Sequence, residues 1–249
     1  MIVSSFRQIF GGRPRASLPG VVYAVGDIHG RRDLLLALLD LIVADDPDSA
    51  AGLIFLGDYI DRGPDSAGVI DVLLSDARIA SRRPVFLKGN HEATLLAFIG
   101  DAQHGPAWNR FGGADTLVSY GVRPPRGVTG DPAAWEEARG QLNDALPAEH
   151  LEFFRELVLF EERGDYFFVH AGVDPNLPVQ AQGEEEYLWI RDAFLQDERR
   201  LSHIIVHGHT PEPEPVSNRR RVGTDTGAYA SGRLTAARID SSGARFIST

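Results

Sequence analysis

Val21-Val22-Tyr23-Ala24-Val25 runs straight into Gly26-Asp27-Ile28-His29-Gly30. An apolar run that reads as a buried strand ends in a polar turn bounded by glycines. The same pattern returns twice. Leu53 to Leu56 precedes Gly57-Asp58-Tyr59-Ile60-Asp61-Arg62-Gly63, and Val85 to Leu87 precedes Gly89-Asn90-His91-Glu92. Between and after these strings the periodicity is helical over residues 32–43, 66–77 and 91–99. The first of these helices carries Leu34, Leu35, Leu38, Leu39 and Ile42 on one face. Successive strand–helix units imply parallel strands with right-handed crossovers. The three polar loops then lie together at the carboxyl edge of one sheet, where open α/β sheets bind ligands. Aspartate, histidine and asparagine gathered there are hard and borderline donors for divalent cations.

Residues 107–159 read as mostly helical, carrying Trp108, Phe111, Leu117, Tyr120, Trp135, Leu142, Phe153 and Phe154 and broken by a loop over 121–127. This insertion, about 107–157, is expected to form a wall or lid over the loop edge. Strand-like runs follow at 166–169, 204–206, around Val216 and Val222, and at 234–239 and 244–247. The fold class expected is therefore α/β, with two sheets packed face to face and flanked by helices. Residues 1–18, mildly basic and holding Gly11-Gly12, read as a flexible lead-in to one domain over 19–249.

The composition narrows the chemistry. The chain has 249 residues, 43% of them apolar, enough for a packed core, and no cysteine. Disulfides, thiolate metal sites and a cysteine nucleophile are thereby excluded. A net charge of -10 argues against a nucleic-acid surface. No signal peptide or apolar span is read, so no membrane role and a cytoplasmic location are expected. Acidity does not exclude a phosphorylated substrate, because bound cations dominate the local field.

Taken singly, each polar string has an ordinary reading: Asp27 as a helix cap, His170 as a core histidine, Arg62 as a surface ion pair, Arg191 stacked on Trp189. Jointly those readings fail. The three strings continue with His170-Ala171-Gly172-Val173-Asp174-Pro175, Trp189-Ile190-Arg191, Gly208-His209-Thr210-Pro211 and Asp225-Thr226-Gly227-Ala228. In order and spacing, from about Val21 to Leu234, this set resembles the PPP family of metal-dependent serine/threonine phosphatases, especially its short bacterial and bacteriophage members. These belong to the calcineurin-like metallophosphoesterase superfamily. The resemblance implies a four-layer metallophosphoesterase fold. It implies two divalent metals, manganese by expectation with iron or zinc acceptable, held by Asp27 and His29 on one side and by Asn90, His170 and His209 on the other, with Asp58 bridging. Two such ions with two carboxylates and a bridging hydroxide leave a local charge of about +1 to receive a phosphate.

In that pattern the bridging hydroxide attacks phosphorus directly, Arg62 and Arg191 clamp phosphoryl oxygens, and His91, oriented by Asp61, protonates the leaving group. Of the two histidines in His207-Gly208-His209, the resemblance selects His209 and leaves His207 buried or behind it.

The substrate expected first is a phosphorylated protein or peptide bearing phosphoserine or phosphothreonine, with phosphotyrosine as a variant. Dinucleoside polyphosphate hydrolysis of the Ap4A type is the alternative within enzymes. Asp61 beside Arg62 sets the expectation toward the protein phosphatases, because the polyphosphatase branch typically lacks that acid. A catalytically silent phosphoprotein-binding module is the alternative from another class, and the intact ligand set speaks against it. His104, His150 and His203 lie outside every motif and read as surface or local polar residues.

Overall fold

The computed structural model describes residues 16–126 and 131–249. The chain builds two five-stranded mixed sheets. β1 (Val22–Val25), β2 (Gly52–Phe55) and β3 (Val85–Phe86) are parallel neighbours. β9 (Thr235–Asp240) returns antiparallel beside β1, and β10 (Gly243–Ser248) closes that edge, giving the order β10-β9-β1-β2-β3. The second sheet runs β4 (Phe160–Arg163), β5 (Tyr166–Val169), β6 (Ile204–His207), β8 (Arg221–Gly223) and β7 (Val216–Ser217), with β5, β6 and β8 parallel and the two edge strands antiparallel.

Period-two alternation along the strands explains the layering. Val22 and Ala24 of β1, Ile54 of β2 and Ala237 and Ile239 of β9 meet Tyr166, Phe168, Val206 and Val222 in the core between the sheets. The alternate residues Tyr23, Val25, Leu53 and Phe55 face the other way into a helical layer. On the outer face of the second sheet, Phe167, Val169 and Ile205 pack against Tyr187 and Phe194. Both faces of the central strands are buried, so they read as unbroken apolar runs. The result is the metallophosphoesterase fold, two mixed sheets between helical layers.

The helices over the first sheet are α1 (Arg32–Asp45), α2 (Ser66–Ser75), α3 (Ala77–Ala80) and α4 (Asn90–Gly100). α1 buries Leu35, Leu38, Leu39 and Ile42, the stripe expected from the sequence. The helix read over 66–77 instead stops at Ser75. Asp76 is extended and its side chain accepts from Arg78 N, restarting the chain as α3. The insertion forms α5 (Gly105–Arg110), α6 (Gly113–Ser119), α7 (Pro132–Ala145) and α8 (Ala148–Glu156). Trp108, Trp135, Leu142 and Phe154 belong to the same buried cluster as α1 and α2, so the insertion is a fixed wall of the helical layer. Short helices α9 (Glu184–Trp189), α10 (Asp192–Leu195) and α11 (Ala228–Ser231) cover the second sheet and the loop edge. Among the described residues no helix is long and apolar enough to cross a membrane.

Two expectations change. The lead-in expected over residues 1–18 lies outside the described residues for 1–15, but its end is packed. Leu18 joins the inter-sheet core, and Ser17 exchanges hydrogen bonds with Asp165 through its N–H and its carbonyl. The packed chain thus begins by residue 16 rather than 19. His150, read as a surface or local polar residue, loses the first alternative: it is buried between Tyr120 Oη at 2.8 Å and Asp71 Oδ1 at 3.1 Å.

Candidate metal and phosphate site

Every loop expected to carry chemistry leaves the carboxyl end of a parallel strand, except the turn between α9 and α10 that carries Arg191. Asp27 and His29 follow β1, Asp58 to Arg62 follow β2, Asn90 and His91 follow β3, His170 follows β5 and His209 follows β6. The backbone there is held in an uncommon conformation. Among the described residues seven non-glycine positions have positive φ, and five of them are His29, Asp58, Asp61, Arg62 and His209. Left-handed backbone at residues with a side chain costs energy and clusters at working sites. Two glycines make the close approach possible. Gly57 takes φ +98°, where a Cβ would sit 2.6 Å from Gly89 N, and a Cβ on Gly89 would overlap Asp58 Oδ1.

Asp58 lies at the centre, buried, with one carboxylate oxygen turned to each side. Its Oδ1 is 3.4 Å from His170 Nε2, and its Oδ2 is 3.6 Å from His29 Nε2 and 3.7 Å from His91 Nε2. Two groups of three side chains can each hold a metal ion, His29–Asp58–His91 and Asp58–His170–His209, and Asp58 belongs to both. Asn90 completes the second group, its Oδ1 lying 2.9 Å from His170 Nε2 and 3.0 Å from His209 Nδ1.

Two of the histidines are oriented from behind. His29 Nδ1 donates to Ile60 O and His170 Nδ1 to Leu56 O, each at 2.8 Å. Burial holds both imidazoles neutral by pushing their pKa down, that of His170 to about 3. A neutral ring whose Nδ1 donates to a carbonyl turns a lone pair on Nε2 into the site, the usual support for a metal-binding histidine. The His170 lone pair faces Asp58 Oδ1 and Asn90 Oδ1, so acceptors converge on acceptors there and a cation relieves the conflict, while His29 Nε2 faces Asp58 Oδ2 with Arg62 Nη1 beside it. The Nε2 atoms of His91 and His209 are buried without a hydrogen-bond partner; that of His209 fits the same need, and that of His91 is free to meet a group entering the site.

The carboxylates say likewise. Asp58 is pushed well up by burial and then by Glu92. Asp27 is pushed up by burial and then by the neighbouring acids Asp225 and Asp58. Asp27 turns both oxygens to the backbone N–H of His209 at 3.1 Å, so it borders the two three-residue groups without being counted in either. Asp225, which the sequence reading left without a role, sits against it. Burial raises Asp225 to about 6, and Gly227 N at 2.8 Å opposes the shift.

His91 and Asp61 form a pair, Nδ1 to Oδ2 at 2.6 Å, both buried. Asp61 is pushed up to about 7 by burial, against the hydrogen bonds from Thr116 Oγ1 (2.6 Å) and Trp108 Nε1 (2.9 Å). Burial lowers His91, with Arg62 and Arg191 adding to it. Arg62 donates from Nε to Phe111 O at 3.3 Å, reaches His29 Nε2 at 3.2 Å through Nη1, and lies over the Tyr229 ring at 4.8 Å. Arg191 is exposed at the start of α10, close enough for its charge to depress His91, His170 and His209. All ten residues expected from the sequence therefore gather at one edge. His207 is in neither metal-binding group. Its ring stands edge-on to Phe194 at 5.1 Å and its Nε2 is 3.3 Å from Arg221 Nη1.

Sequence reasoning missed the supports. Glu92 is buried and accepts from the N–H groups of Asp58 (3.0 Å), Tyr59 (2.8 Å) and Gly89 (2.9 Å), fastening the second and third loops together. Glu92→Ala leaves three buried donors unpaired. At roughly 1–3 kcal/mol for each such group, the expected loss is about 3 kcal/mol or more, read as a lower urea midpoint. Glu92→Gln keeps an acceptor oxygen and should cost less, while a loss under about 1 kcal/mol for the alanine variant would contradict this role. Trp108 was legible only as core and Thr116 not at all, because their bonds to Asp61 bridge 47 and 55 residues.

This constellation defines a phosphoesterase of the metal-dependent kind. The calcineurin-like phosphoesterase family model matches residues 20–238, and the chain belongs to that family, whose members use divalent metals. It is 26% identical over 237 residues to a bis(5'-nucleosyl)-tetraphosphatase, PrpE, described as asymmetrical, from Anoxybacillus flavithermus, covering 86% of this chain and 88% of that protein. It is 30% identical over 226 residues to serine/threonine-protein phosphatase 1 of Salmonella typhimurium, covering 88% and 91%. Symmetrical bis(5'-nucleosyl)-tetraphosphatases from several bacteria also match, over half of their own length or less. Among solved structures, a candidate diadenosine tetraphosphatase superposes with a TM-score of 0.63 at 22% identity, covering 92% of this chain and 93% of the other, which shows the shared fold.

Proposed function

We propose that this chain is a two-metal phosphohydrolase whose first substrate class is dinucleoside polyphosphates. The observation that carries the two-metal reading is Asp58, with one oxygen toward each ligand group. Asp27 and His29 with Asp58 would hold one ion, and Asn90, His170 and His209 with Asp58 would hold the other. His91, in the first cluster by distance, is assigned to proton transfer because its Nδ1 partner is the buried carboxyl of Asp61, which can take up the charge left when Nε2 gives up a proton. Nitrogen and oxygen donors without sulfur suit manganese, iron or zinc, with manganese the first to try. Divalent ions bound there would polarise phosphoryl oxygens and acidify a water to the nucleophile. Arg62 and Arg191 contribute the remaining positive charge, and their planar forks match two phosphoryl oxygens.

The sequence reading put phosphoproteins first. Two observations move nucleotides ahead: the match to an asymmetrical tetraphosphatase along nearly its whole length, and the two exposed aromatic rings, Trp189 and Tyr229, that border the site. The phosphoserine/phosphothreonine reading stays as the second, favoured by the His91–Asp61 pair, since an alkoxide leaving group needs a proton and a polyphosphate hardly does.

The test is turnover after EDTA treatment and return of manganese, on diadenosine tetraphosphate, a phosphoserine/phosphothreonine peptide and a phosphotyrosine peptide. The expected result is manganese-dependent cleavage with kcat/KM for the dinucleotide at least about tenfold above either peptide, a margin of roughly 1.4 kcal/mol. The reverse order establishes the second reading. No metal-dependent release from any of the three contradicts both.

A further inference from the structure

Among the described residues the two large aromatic side chains that are exposed are Trp189, at 37%, and Tyr229, at 38%. They stand on opposite sides of the site. Tyr229 meets His29 edge-on at 5.4 Å and is faced by the Arg62 guanidinium. Trp189 meets His209 edge-on at 6.4 Å and packs on Phe111 at 5.5 Å. Tyr229 is thus committed to Arg62, whereas Trp189 also borders a cleft. The cleft, of about 530 Å³, lies between α4 and α9 and is lined by Ala93 and Leu96 of α4 and by Leu188 and Trp189 of α9. Lys88 and Glu184, paired at 3.1 Å, stand at its polar rim together with a second acid, Glu185.

Trp189 lines the cleft and also stands edge-on to His209, so the cleft adjoins the phosphate site through that one side chain. We infer that the Trp189 cleft is the subsite for the nucleoside on one end of the substrate, with the base stacked on the Trp189 indole. The chemistry that recognises it is an exposed aromatic face beside an apolar floor, with a paired acid and lysine at the rim able to meet the sugar and base edges. A purine fits that description. A peptide flank would find few hydrogen-bonding groups on the floor. This inference rests on the dinucleoside polyphosphate reading for its substrate, and it identifies Trp189 as the residue that sets specificity there.

The chain has three tryptophans, and Trp108 and Trp135 are buried, so quenching by an added base reports on Trp189. The first arm titrates adenosine, which has no phosphate, into the EDTA-treated full chain and reads tryptophan emission. Saturable quenching of the wild-type chain is expected, and calorimetry, which needs no indole, should show adenosine binding lost in Trp189→Leu and kept in Trp189→Tyr. The second arm is steady-state kinetics with manganese. Trp189→Leu should raise KM for diadenosine tetraphosphate by about tenfold, the size of one base–aromatic stack, and should lower the ratio of kcat/KM for the dinucleotide to kcat/KM for p-nitrophenyl phosphate by the same factor.

Adenosine binding that survives Trp189→Leu overturns the inference, as does an unchanged dinucleotide KM. A raised KM for an arginine-rich phosphopeptide without adenosine binding overturns it in favour of a peptide groove at Glu184 and Glu185. If adenosine binds through Trp189 but the dinucleotide is not cleaved, the subsite stands and the function reading fails. Cleavage of the dinucleotide without adenosine binding does the opposite.

Discussion

Asp58→Asn should reduce turnover on every phosphate substrate by about 10³-fold or more, a loss of roughly 4 kcal/mol from the transition state. The substitution keeps the shape and an oxygen for the His91 N–H, which Asp58 Oδ1 accepts at 3.2 Å, so the loops should still close. What it removes is the one anionic group shared by both ligand clusters. Stability separates this outcome from misfolding. Burial raises the Asp58 pKa, so ionising it in the metal-free fold costs stability as pH rises above the ordinary carboxylate range of about 4. The asparagine variant escapes that cost. Without metal it should therefore unfold at the same or higher temperature than the wild-type chain at pH 8, while gaining far less on addition of manganese. Ligand at a hundredfold its Kd stabilises a fold by about 2.7 kcal/mol per site, which is the shift the wild-type chain should show and the variant should lose. A variant with near-wild-type turnover and an undiminished metal-induced shift would refute the shared-ligand role.

His91→Asn should divide substrates by leaving group. Phosphoserine and phosphothreonine peptides release an alkoxide, and their hydrolysis should slow about 10²- to 10⁴-fold, the range for general acid catalysis. p-Nitrophenyl phosphate and diadenosine tetraphosphate release weakly basic oxygens and should slow by less than about tenfold. The proton is held by the His91–Asp61 pair as a unit. Asp61 is raised to about 7 and His91 lowered, both chiefly by burial, so the pair is most stable as a neutral couple with one proton between Nδ1 and Oδ2 and one on Nε2. Donation from Nε2 leaves Asp61 ionised against Thr116 Oγ1 and Trp108 Nε1, which receive that charge. Equal slowing of alkyl and aryl esters would contradict His91 as the acid.

The parts of this arrangement that the sequence reveals are those in which chemistry and backbone share one short string. Asp27-Ile28-His29, Asp58 to Arg62 and Asn90-His91 each sit between a strand and a helix start, and the apolar run gives the strand away, although β3 is a half-buried edge strand. β4 escaped because Phe160-Glu161-Glu162-Arg163 is a charged edge strand with no alternation to read, visible only through its pairing with β5. The break at Asp76 escaped because the apolar stripe of α2 continues into Ile79 and hides a cap formed by one side chain. Long-range partners set the rest. His150 is buried by Tyr120 and Asp71, and Glu92 by backbone donors 33 and 34 residues away, and neither distance is encoded locally. The His207–His209 ambiguity is resolved by backbone alone. His209 takes φ +64°, leaves the strand and turns its ring to Asn90, whereas His207 stays in β6 beside Phe194.

The most direct test of the central claim, a pair of divalent ions sharing Asp58, is a metal count. EDTA-treated protein is dialysed to equilibrium against manganese, and metal per chain is measured by elemental analysis. About two ions per wild-type chain are expected, with the second lost before the first as free metal is lowered. One ion or none at saturation would contradict the account.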